Sequence, residues 1–99
     1  MTINEIKEIL AKKFKDENCC FTKKDINIKR EGKGDHFMIT IADYEHCPIE
    51  ITTEVDEYFG NCIWVKYWFE EESELFDSKT SWEWERAIKY VGYYVANRF

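Results

Sequence analysis

The sequence predicts an α+β fold with element order α-β-β-β-β-α. A four-stranded antiparallel meander sheet carries an N-terminal and a C-terminal helix packed on it. Three observations predict this. Apolar residues recur at helical spacing at both ends of the chain. From Cys20 onward, through the middle of the chain, the period is two. Each connection between the period-two segments is too short for a parallel crossover, which needs a dozen or more residues. The 99 residues make one domain, 1–99, with room for a single core. A hydrophobic content of 44% with 17% aromatic residues is ample for folding and excludes a disordered chain.

The first helix opens at "TINEIKEILAKKF", where Thr2 and Glu5 have the spacing of a capping box. Ile3, Ile6, Leu10 and Phe14 line one face, with Ile9 beside them, and Lys12, Lys13 and Lys15 gather in the last turn. "FTKKDINIKRE" reads as the first strand, with Ile26 and Ile28 on one face, and "GKGD" as a turn. "HFMITIAD" is the second strand, with Phe37, Ile39 and Ile41 pointing inward. After "YEHCP", "IEITTEV" places Ile49, Ile51, Thr53 and Val55 inward. "DEYFGN" is a turn and "CIWVKYWFE" the fourth strand, with Ile63, Val65, Tyr67 and Phe69 inward. "EESELFDSK" reads as a loop. Thr80 with Glu83 repeats the capping-box spacing and starts the last helix near Ser81. Its core stripe is Trp84, Ala87, Ile88, Val91 and Val95, and Gly92 in its middle suggests the close approach of another backbone.

Charge is unevenly placed. Residues 1–49 carry nine acids and nine bases, net zero; residues 50–99 carry eleven acids and five bases, net −6. That balance repels a phosphate backbone and attracts basic surfaces. No apolar run approaches the length of a membrane span, and the charged N-terminus is unlike a signal peptide. The expected location is the cytoplasm, of the protein's own cell or of a host. The cysteines Cys19, Cys20, Cys47 and Cys62 are then expected reduced. With His36 and His46 they offer zinc-type ligands, but in no C-x-x-C or H-x-x-x-H spacing, so neither a metal nor another cofactor is expected.

Two aromatic sets exceed what one face of the fold needs. Trp82, Tyr90 and Tyr93 fall opposite the core stripe of the last helix, and Trp64 and Trp68 fall opposite the inward set of the fourth strand. The acids Glu54, Asp56, Glu57, Glu70, Glu71, Glu72, Glu74 and Asp77 surround them in sequence. An aromatic centre with a charged rim is the anatomy of a binding interface. These thirteen residues are the candidate partner-binding set. The acids would steer a basic protein partner, such as a nucleic-acid-processing enzyme, and the rings would hold it. A second copy of the chain, or the acidic loop, could also cover the rings.

In size, acidity and lack of a catalytic motif the chain looks like small phage-encoded inhibitors of host defence, including anti-CRISPR proteins and DNA mimics, and like small toxin-immunity proteins. That resemblance implies a non-catalytic inhibitor. The helix-sheet-helix order is also similar to the double-stranded-RNA-binding domain, which implies nucleic-acid binding. Only Lys12, Lys13, Lys15, Lys23, Lys24, Lys29 and Arg30 could serve it, and Glu83 and Glu85 stand at the start of the last helix where phosphate contact wants lysine. An enzyme would draw on His36, His46 or a carboxylate pair such as Glu70 and Glu72, but no spacing argues for a catalytic set, so the chain is expected not to be one.

Overall fold

The computed structural model describes residues 1–67, 73–77 and 81–98. Helix α1 spans Ile3–Asp16, and Thr2 caps it by accepting a hydrogen bond from the Glu5 N–H at 3.1 Å. Strands β1 (Ile26–Arg30), β2 (His36–Ile41), β3 (Ile49–Asp56), β4 (Gly60–Tyr67) and β5 (Ser73–Asp77) form one sheet in sequence order, each antiparallel to the next. Helix α2 spans Ser81–Arg98. The fold class is the expected one, and the four expected strands stand in the expected order.

The sheet continues one strand further than expected. Ser73–Asp77, read from sequence as part of a loop, pairs with β4 from Lys66 to Cys62. "SELFD" is too short to show a period, so its pairing comes from the edge that β4 offers. Strand β1 begins later than expected. Lys23–Asp25 is a single 3-10 turn, held by the Thr22 N–H donating to Asp25 Oδ2 at 2.8 Å.

Both helices pack on one face of the sheet. Ile6, Leu10 and Phe14 of α1 meet Ala87, Ile88, Val91 and Val95 of α2 over Ile26, Ile28, Phe37, Ile39, Ile49, Ile51, Ile63 and Val65. The register explains the continuity: Ile28, Ile39, Ile49 and Tyr67 stand opposite one another across four strands, and Phe37, Ile51 and Val65 across three. Rings close the α2 side of the core. Tyr67 and Tyr94 stack with centroids 3.6 Å apart, and Trp84 meets Phe37 edge-on at 6.5 Å.

The inward alternation of β3 stops at Ile51. Thr53 and Val55 were expected inside, but both are exposed, Val55 by 80%. The cause is strand length. Strand β2 pairs with β3 only as far as Thr52, and β5 pairs with β4 only as far as Cys62. Among the described residues, Val55 and Asp56 therefore pair with Asn61 and Gly60 alone, in a two-stranded hairpin end.

Gly92 is buried where α2 crosses α1. A Cβ there would lie 2.7 Å from Lys13 Cγ and 2.9 Å from Lys13 Cβ. The close approach expected at Gly92 exists, but it is made by a side-chain stem rather than by backbone. No helix among the described residues is long and apolar enough to cross a membrane.

Candidate protein-binding surface

The β3–β4 turn is built by its two ends. Asp56 Oδ1 accepts from the Tyr58 N–H at 2.8 Å and the Phe59 N–H at 3.1 Å. Gly60 follows at φ +74°, a conformation that side chains rarely adopt. These two residues supply the turn chemistry. The residues between them are not needed for it, yet they include two aromatics: Tyr58 is 88% exposed and Phe59 71%. Val55 stands at the end of the strand below them. Residues 52–62 hold three carboxylates, Glu54, Asp56 and Glu57, and no base. Sequence reading chose the three acids and missed the rings. The signal was present in "DEYFGN", since a turn selects Asp and Gly but has no use for adjacent Tyr and Phe.

The open face of the sheet presents Trp64, half-buried and opposite Thr52 and Leu75 in register. Its polar neighbours are paired. His36 Nε2 lies 3.0 Å from Glu50 Oε2, and Lys66 Nζ lies 3.8 Å from Glu50 and 3.5 Å from Glu54. Glu54, expected in the acidic rim, and Glu50 thus share Lys66 across the strands.

On the outer side of α2, Trp82 is 66% exposed and Tyr93 52%. Arg86 sits over the Trp82 ring at 5.8 Å and pairs with Glu83 at 3.3 Å; Lys89 pairs with Glu85 at 3.2 Å. Trp82, Glu85, Arg86 and Lys89 line a small groove of about 220 Å³. Tyr90, expected beside Trp82 and Tyr93, instead turns partly into the core, its ring 6.5 Å from Tyr67.

The candidate set does not form one surface. Helix α2 lies on the inner face of the sheet and Trp64 on the opposite face, so the sheet separates Trp64 from Trp82 and Tyr93. Glu74 and Asp77 stand in β5 opposite Val65 and Cys62. Trp68, Glu70, Glu71 and Glu72 lie outside the described residues, as does Phe69.

The N-terminal basic set is partly engaged. Lys13 pairs with Glu17 at 3.0 Å, Lys23 with Glu8, and Arg30 with Asp35 at 3.5 Å. Among the described residues the cysteines form no disulfide, and no three His, Cys, Asp or Glu side chains are grouped to hold a metal ion. No family model, no curated protein and no solved structure matches the chain.

Proposed function

We propose that the chain is a small, acidic, non-catalytic protein-binding module that docks its β3–β4 hairpin on a basic surface of a partner protein. One observation carries this reading: two exposed aromatic rings on a hydrogen-bonded turn whose two carboxylates, Asp56 and Glu57, pair with no base among the described residues. A turn backbone ordered before contact lowers the entropic cost of binding through its rings, and acids around them raise the rate of encounter with a basic partner. An inhibitor that occupies the nucleic-acid groove of an enzyme in the cytoplasm fits this chemistry. Mimicry of a phosphate backbone fits less well, because Glu50, Glu54, Glu83 and Glu85 are each beside a base. Direct nucleic-acid binding has less support, given the pairing of Lys13, Lys23 and Arg30.

A photo-crosslinking amino acid at position 58 tests the proposal, with position 33 as control. The expected result, in lysate of the source cell or its host, is a protein adduct specific to position 58. Its yield should fall as salt rises, and its mapped contact should be rich in Lys and Arg. A mapped contact that is itself acidic, or adducts only with nucleic acid, would overturn the proposal.

A further inference from the structure

The chain contains three arginines, and all three lie over aromatic rings: Arg30 over Phe37 at 4.7 Å, Arg86 over Trp82 at 5.8 Å and Arg98 over Tyr94 at 5.4 Å. Arg30 also reaches Asp35 at 3.5 Å, and Arg86 reaches Glu83 at 3.3 Å. This ring-plus-carboxylate arrangement suits a guanidinium, which is planar, stacks on an aromatic face and forks onto a carboxylate. The hairpin turn has the same two components, Tyr58 and Phe59 beside Asp56 and Glu57, and among the described residues no cation pairs with either acid. We infer that the hairpin turn is an arginine-recognition surface: a partner protein's arginine stacks on Tyr58 or Phe59 while Glu57 or Asp56 takes its N–H groups.

The inference rests on the reading of the hairpin as a docking surface and makes it more specific. Lysine carries the same charge, so steering alone would not distinguish the two residues. The rings favour arginine: an ammonium can also sit over a ring beside a carboxylate, as Lys13 does between Tyr93 at 5.9 Å and Glu17 at 3.0 Å, but it is a compact, strongly hydrated charge with no plane to stack. Asp56 is already bound to two backbone N–H groups, which leaves its second oxygen and both oxygens of Glu57 for the guanidinium.

The test uses the whole chain, ¹⁵N-labelled, titrated with a nona-arginine and a nona-lysine peptide and followed by ¹H–¹⁵N spectra. Shifts should centre on Val55 to Gly60 with both peptides, and nona-arginine should bind about two- to fivefold tighter. In a Tyr58→Ala/Phe59→Ala variant the two affinities should become equal, with the net charge unchanged. Because both rings are exposed, that variant should keep the spectrum of the fold elsewhere; Glu57→Gln is a second variant, expected to weaken both peptides. Equal binding of both peptides at the wild-type turn would overturn arginine selection while leaving the docking reading in place. Shifts that bypass residues 55–60 would overturn it too. So would turn shifts that appear on concentrating the chain alone, which would make a second copy the occupant.

Discussion

The stem of Lys13 lies directly across Gly92. A Cβ on that glycine would come within 2.7 Å of Lys13 Cγ, closer than such atoms pack, and 3.6 Å from Leu10 Cδ2. Lys13 is also held at its other end, by Glu17 at 3.0 Å and over the Tyr93 ring at 5.9 Å. The two helices can approach this closely only because one of them has no side chain at the crossing.

Gly92→Ala should therefore destabilise the protein although alanine is the better helix former. Propensity alone would favour the change by about 1 kcal/mol, whereas overpacking costs roughly 1–3 kcal/mol. Urea denaturation should show a lower midpoint. Adding Lys13→Ala should recover part of the loss, since it removes the Cγ contact and leaves only the Cβ. A Gly92→Ala variant more stable than the parent would show that the crossing has slack.

Ile51 and Val55 belong to the same alternating series in sequence but differ in burial, 0% against 80%. Ile51→Ala should cost about 2–5 kcal/mol and Val55→Ala within about 0.5 kcal/mol. Equal costs from denaturant titrations would mean that the hairpin end is covered.

The turn should separate folding from binding. Asp56→Ala removes the acceptor of two backbone N–H groups and should cost about 1 kcal/mol, while Asp56→Asn keeps an acceptor oxygen and should cost less. Gly60→Ala should also cost about 1 kcal/mol, because φ is +74° there. Tyr58→Ala and Phe59→Ala should leave the thermal midpoint nearly unchanged and accelerate partner release. A large fall in midpoint from either ring would mark it as structural.

The cysteines should label in order of exposure. Cys20 is exposed, Cys19 and Cys47 are half-buried, and Cys62 is 2% exposed. A thiol reagent should modify Cys20 first and Cys62 only as the fold opens. Metal analysis of protein purified without chelator should find less than about a tenth of an equivalent of zinc. Stoichiometric zinc, or a Cys62 that labels as fast as Cys20, would contradict this.

The sequence by itself determined both helices, the first four strands and the core. Ile6, Leu10, Ile28, Ile39, Ile51, Val65, Ile88 and Val91 are all buried as their spacing implies, because periods of 3.6 and 2 are fixed by backbone geometry alone. The caps at Thr2 and the turn at Asp56–Gly60 are equally local, made by residues a few positions apart. Tertiary structure decided what depends on relative length and placement. Val55 continues a perfect alternation and is still exposed, since the neighbouring β2 stops pairing at Thr52, before it. Ser73–Asp77 became a strand because β4 had an unpaired edge. Trp64 and Trp82 ended on opposite sides of the sheet because both helices chose the same face, while among the described residues Tyr58 and Phe59 are the most exposed rings. No sequence period records where one strand outruns its neighbours, and that overhang is what created the candidate site.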